Sequence, residues 1–189
     1  MRATWFGWRR AGIAAGLAGL ALGPAACGSS SSTPAGTAPC PRIAILADGA
    51  DLTRFRPGAA RDLTAQVLDA RVAGFDARCD YASRDGRTLD IRITPRFEAE
   101  RGPTAEGRTA DLPWFVAMTD AADTRVLVHL SDTVRVGFPA NVGRATANGR
   151  PAQITLPLEE GKRATDYTIR ISFQLTPEEL ALNRSRRAR

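Results

Sequence analysis

Residues 88–99, TLDIRITPRFEA, place Leu89, Ile91, Ile93, Phe97 and Ala99 in one phase and Asp90, Arg92, Thr94, Arg96 and Glu98 in the other. Successive side chains of an extended chain point to opposite faces, so this alternation describes a β-strand with one dry and one wet face. Pro95 falls in the apolar phase and has no N–H to give to a ladder. It predicts an edge strand or a bulge at that point. Just upstream, SRDGR at 83–87 supplies a turn, with Asp85-Gly86 as the hairpin signal. The partner strand is expected within 64–82. There Leu68, Ala70 and Val72 share one phase, while Phe75, Ala77, Cys79 and Tyr81 take the other, which predicts a bulge at Gly74.

The same period continues downstream. Leu112, Trp114, Val116 and Met118 alternate within 109–119, and 120–123 turns the chain. Val126, Val128, Leu130, Val134, Val136 and Phe138 keep one phase through 125–138, with a break or bend expected at Ser131-Asp132. Residues 139–151, rich in Pro, Gly and Asn, read as loop. Ile154, Leu156 and Leu158 mark a short strand, 159–166 a turn, and Tyr167, Ile169, Ile171, Phe173 and Leu175 a final strand. The period then switches. Thr176-Pro177-Glu178-Glu179 is a capping box with proline at the first helical position, so a short helix should run through Ala181 or Leu182. Asn183 and the basic tail 184–189 are expected to fray.

About seven strands spaced by turns predict an all-β fold: an antiparallel, immunoglobulin-like β-sandwich over residues 40–183 with a short C-terminal helix. Tyr167 stands where a tyrosine corner would, but the cysteine that usually follows is absent. A lipocalin-type barrel would want more strands.

The first 39 residues read differently. MRATWFGWRR carries three arginines and no acid, and 11–23 are apolar and uncharged. Pro24, Ala25 and Ala26 lead into Cys27. Positive, apolar and small-residue regions in that order make a secretory signal peptide over 1–26. Its apolar run of thirteen is shorter than the about 20 residues that span a bilayer. A cysteine directly after the small residues resembles a lipobox, in which Cys27 would carry the lipid. Pro24 departs from the usual leucine, and soluble secretion after Ala26 or an uncleaved anchor are the other readings. GSSSSTPAGTAP at 28–39 cannot bury enough surface to order itself and reads, with Cys27, as a tether over 27–39.

With Cys27 acylated, Cys40 and Cys79 have only each other, and an oxidising compartment favours their disulfide. Closing that loop would stabilise the fold by roughly 4 kcal/mol on the chain-entropy account. The net charge of +6 is not a nucleic-acid signal. Seven of the 26 basic residues lie in the signal peptide and the last six positions, which leaves nineteen against 20 acidic ones. No basic cluster remains within the fold to follow a phosphate backbone.

Nothing in the sequence assembles a catalytic or metal constellation, and no cofactor is expected. His129 is the only histidine and sits in a strand opposite the valines, where a rim position is the plain reading. Asp120 and Asp123 lack the ligand loop of a calcium site. Two segments are candidate binding surfaces. Arg54 and Arg56 flank Phe55 in LTRFRPGAARDL, which reads either as a contact surface or as a connector whose phenylalanine plugs the sandwich. Trp114 and Phe115 put aromatics on both faces of one strand, so one ring is buried and the other is capped or exposed.

CPRIAIL at 40–46, TRFRPG at 53–58, AERGP at 99–103 and FQLTPEELA at 173–181 together resemble a group of bacterial lipoproteins of alphaproteobacterial type. The resemblance implies an envelope address and brings no activity. Under sorting of the enteric kind, Gly28 after the lipidated cysteine implies the outer membrane. The sequence thus predicts a lipid-anchored, non-enzymatic module on the periplasmic face of the outer membrane. It would be held to the membrane by Cys27 and would bind a protein or polymer partner, with no nucleic acid. The alternative is a carrier with an apolar pocket at one end of the sandwich, lined by Trp114, Phe115 and Phe55.

Overall fold

The structure is a computed structural model and describes residues 37–120, 122 and 124–188. The signal peptide, Cys27 and the tether up to residue 36 lie outside the described residues. Nine strands are described: β1 (Arg42–Ile45), β2 (Asp51–Phe55), β3 (Gln66–Tyr81), β4 (Thr88–Arg101), β5 (Thr109–Thr119), β6 (Val126–Gly137), β7 (Arg144–Asn148), β8 (Ala152–Pro157) and β9 (Thr168–Phe173). One helix, α1 (Pro177–Arg187), follows. They form two sheets, β1-β9-β5-β6 and β2-β3-β4, with β7 and β8 sharing the far edge of β4.

The fold is all-β with a short C-terminal helix, as the alternation predicts. The two inner faces meet at Phe97. Its ring centroid lies 5.9 Å from Trp114 of β5 and 5.4 Å from Phe173 of β9. Leu89, Ile91 and Ile93 of β4 and Leu112, Val116, Ile169 and Ile171 of the opposite sheet complete a fully buried layer. Each such side chain contributes about 1.5–3 kcal/mol of burial.

Several details correct the sequence reading. Nine strands replace about seven because β1, β2 and β7 are only four or five residues long, too short to show a sustained period of two. β7 lies inside the expected loop 139–151, where Ala145 and Ala147 give only a weak inward face. The sandwich is not wholly antiparallel, since β1 pairs with β9 in parallel. Strand order also differs from the alternation of immunoglobulin domains: β2-β3-β4 and β5-β6 are consecutive meanders.

The bulge at Gly74 is present, between Val72 and Gly74 in the β3–β4 ladder. Pro95 does not mark an edge, because β4 is a central strand. Its carbonyl accepts from the Gly149 N–H at 2.9 Å. Its nitrogen shares that side of the strand and faces the gap between the last β8 pair, Ile93–Ala152, and the first β7 pair, Arg96–Asn148. No ladder donor is required there. Gly149 in that gap lies so close to Trp114 that an added Cβ would sit 3.0 Å from the ring carbon Cζ2. Nor does β6 break at Ser131-Asp132. Arg150 takes the Asp132 carboxylate with two hydrogen bonds, of 2.9 and 2.6 Å, and the acid stays within the strand.

At its N-terminus the folded part starts earlier than residue 40. Thr37 bridges to Asp80, the Ala38 N–H donates to the Cys79 carbonyl at 2.9 Å, and Ala38 is buried. Cys40 and Cys79 are disulfide-bonded with Cα atoms 5.4 Å apart. The lead-in is therefore pinned to the end of β3 before it crosses to the other sheet as β1. Replacing both cysteines with alanine should lower unfolding free energy by about 4 kcal/mol in denaturant titrations. A loss within error would show that the bond constrains little of the unfolded chain.

Paired acids set a pH dependence. The Arg135 guanidinium holds the Asp111 carboxyl below its ordinary 3.8, and Arg150 does the same for Asp132, in each case chiefly by hydrogen bonding. A carboxyl with a depressed folded value contributes stability that is complete above its unfolded value and lost as pH falls through the folded one. Melting temperature should therefore be flat down to about pH 5 and drop below about pH 4. Asp111→Asn with Asp132→Asn should melt lower at neutral pH and lose less on acidification.

Candidate functional site

The candidate surface grows out of β2. Leu52 points into the core and is wholly buried, and Thr53 on the opposite face is buried as well. A short strand can be dry on both faces only if something covers the outer one, and α1 does so. The Arg186 guanidinium donates to the Thr53 hydroxyl at 2.8 Å, and that hydroxyl donates to Asp69 at 2.8 Å. Asn183 is buried and its amide donates to the carbonyls of Asp48 and Asp51 at 2.9 and 2.8 Å. Arg184 pairs with Asp48 at 3.0 Å.

The helix thus continues to Arg187, well past the expected stop at Ala181 or Leu182. The expected domain end at 183 and frayed tail from 184 are corrected by these contacts. The capping box itself is as predicted: Glu179 N–H donates to the Thr176 hydroxyl, and Thr176 N–H donates to the Glu179 carboxylate.

At the helix N-terminus Arg54 reaches across. Its Nε donates to Glu179 at 3.2 Å and its Nη1 to the Asp111 carbonyl at 3.0 Å. Beyond Phe55 the chain loops out and is closed by the Arg56 N–H donating to the Ala65 carbonyl at 2.9 Å. Asp62 stabilises the return by accepting from the Thr64 and Ala65 N–H groups. Its carboxyl is held below the usual range, first by the Thr64 hydroxyl.

Between this loop and the first turns of α1 lies a groove of about 380 Å³, lined by Arg54, Phe55, Arg56, Arg61, Glu178 and Glu179, among others. Glu178 is also depressed, first by its own backbone N–H, then by the Thr176 hydroxyl and the charge of Arg61. Arg56 and Arg61 are exposed and form no ion pair or side-chain hydrogen bond among the described residues, though Arg61 stands near enough to Glu178 for its charge to act there. A half-buried aromatic ring beside exposed guanidinium groups and two carboxylates can meet a surface of mixed charge. Arginine and phenylalanine at such a rim are the residue types that interfaces favour.

Arg54, Phe55 and Arg56 are therefore brought together, and the contact-surface reading of that segment gains Arg61, Glu178 and Glu179. Arg61 lies in the same segment as Arg54, but the sequence did not join Glu178 and Glu179 to it because Glu179 is 125 positions away. Trp114 and Phe115 do not join them. Trp114 is 1% exposed and belongs to the core. Phe115 lies on the outer face of its sheet, stacked on His129 with ring centroids 4.9 Å apart. The alternative pocket of Trp114, Phe115 and Phe55 is not assembled: Phe55 lines the groove beside α1, while Trp114 borders a separate cavity near Arg150.

The groove stands far from the point where the chain enters the domain. Thr37 bridges to Asp80 near the end of β3, whereas Arg54 pairs with Leu68 near its start. Twelve residues of strand separate the two, about 40 Å at the usual rise. No known protein family, curated protein or solved structure matches this chain. The resemblance to bacterial lipoproteins rests on its sequence motifs alone.

Asn183→Ala should cost about 1–3 kcal/mol, since it removes a buried amide and leaves two part-buried carbonyls without their donor. It should also loosen the helix that walls the groove. Hydrogen exchange should then rise first at α1 and β2; unchanged exchange there would mean that the helix is held by other contacts.

Proposed function

We infer that the protein is a lipid-anchored envelope module that binds a protein or polymer partner without catalysing a reaction. Cys27 carries the lipid, the segment after it is the leash, and the sandwich works in the periplasm, on the inner face of the outer membrane.

One observation supports this reading best. The chain enters the domain at one end of β3, where the Cys40–Cys79 disulfide pins it, and the arginine-lined groove opens at the other. Cys27 and Thr37 are ten positions apart, a reach of at most about 35 Å. A leash attached at that end leaves the groove at the other end free for a partner. The disulfide suits an oxidising compartment. No helix among the described residues is long and apolar enough to cross a membrane.

Cys27→Ser should move the protein from the membrane fraction to the soluble envelope fraction. Cross-linking from native membranes should capture a partner that the Arg54→Ala, Arg56→Ala, Arg61→Ala triple variant loses at least tenfold. Retention of the serine variant in membranes would end the lipid assignment. Equal capture by the triple variant would move the contact surface elsewhere.

A further inference from the structure

Another arginine at the same end of the sandwich has no counter-ion among the described residues. Arg101 is the last residue of β4, and its backbone N–H donates to the Gly143 carbonyl at 2.7 Å. Its guanidinium carbon lies 5.9 Å from the Phe138 ring centroid, and Nη2 donates weakly to the Ala105 carbonyl at 3.3 Å. Its Nε is buried and has no hydrogen-bond partner among the described residues. Arg101 also forms no ion pair with any of them. A guanidinium cannot lose its proton, so a buried N–H without an acceptor is a cost the fold carries. Exposed arginines elsewhere in the molecule pair with acids across strands, as Arg135 does with Asp111 and Arg144 with Glu100.

The surroundings say what would complete it. Arg101 borders a cavity of about 280 Å³ whose other walls include Leu68, Ala105, Ala110 and Phe138. On its other side it borders a more open hollow under the loop that carries Asn141 and Val142. Two acids edge the first cavity. Both oxygens of Asp111 are taken by Arg135, at 2.7 and 3.0 Å, and Glu106 is exposed. A phosphate dianion would meet these carboxylates with only one unpaired guanidinium facing it. A single carboxylate on a short apolar body would meet the Arg101 fork with its charge and the apolar wall with its carbons. The volume is near the lower bound for ligand sites and fits a group of amino-acid size.

We propose that Arg101 reads the carboxylate of a small apolar acid, held in the cavity between the β4–β5 loop and Phe138. Arg54 lines the same cavity and closes it toward the groove beside α1. The site does not depend on the lipid, since none of its residues lies in the tether, and Arg54 is the residue it shares with the groove proposed to meet a partner.

The test is titration of the full chain with isocaproate, N-acetyl-leucine and inorganic phosphate. The readout is the Arg101 Nε–H signal in proton–nitrogen correlation spectra, assigned by its absence in Arg101→Lys. The expected result is a saturable downfield shift of that signal with isocaproate and with N-acetyl-leucine. Tighter binding of N-acetyl-leucine would place the natural carboxylate at a peptide end, and tighter binding of isocaproate on a free acid. Arg101→Lys keeps the charge but loses the fork, and should weaken binding at least about tenfold. The wild-type shift decides the matter even if that variant fails to fold. No saturable shift with either acid, a stronger response to phosphate, or equal binding by a folded Arg101→Lys would overturn the proposal.

Discussion

The antiparallel ladder between β3 and β4 is the interaction on which the rest of the molecule depends. It runs from Leu68–Arg101 at one end to Tyr81–Leu89 at the other. One face of β4 supplies Leu89, Ile91, Ile93, Phe97 and Ala99 to the core, and the opposite sheet packs on that row. The two ends of the ladder have separate uses. The lead-in and its disulfide occupy the turn end of the hairpin, and the arginine-lined cavities occupy the open end. The bulge near Gly74 and the gap at Pro95 lie side by side in the middle. There the partner strand on the far edge changes from β8 to β7, so the irregularities of two strands fall where pairing is already interrupted.

Helix α1 solves a second problem. β2 is short and sits at the edge of its sheet, and its outer face would leave Thr53 and the carbonyls of Asp48 and Asp51 to compete with water. Asn183 and Arg186 satisfy these groups, and Arg184 ties the helix to Asp48. Residues that look like a solubilising tail thus become hydrogen-bond donors to β2 and the turn before it, Asn183 from a buried position and Arg184 and Arg186 from exposed ones. The same docking sets Glu179 against Arg54 and creates one wall of the groove. Stability and surface chemistry are coupled at this place, because the groove exists only while the helix is seated.

The long strands were legible because their inward positions are large and apolar at strict period two. β4, β5 and β9 needed no tertiary information. The capping box named the start of α1 for a similar reason, since its hydrogen bonds are made within four residues. The helix end was not legible. Arginines that follow Asn183 look solvent-bound unless their acceptors on β2 and the preceding turn are known. β7 was missed because alanine at alternate positions buries little surface, and it becomes a strand only by completing the edge of β4. Trp114 and Phe115 were correctly read as facing opposite ways, but their joining Phe55 in one pocket was a matter of distance in space, which period does not carry.

The sequence by itself determined the local rules: which residues extend, which face is dry, where Gly74 shifts the phase. These follow from backbone geometry and side-chain size, and both act between neighbours in the chain. Only the tertiary structure decided which charges meet. Arg54 finds Glu179 at a separation of 125 residues, whereas Arg101 ends in a cavity without an ion pair to any described residue. A guanidinium is the same in either place until the fold fixes its distance from a carboxylate. Coulomb attraction and hydrogen bonding fall off over a few ångströms of space, and distance along the chain does not measure that.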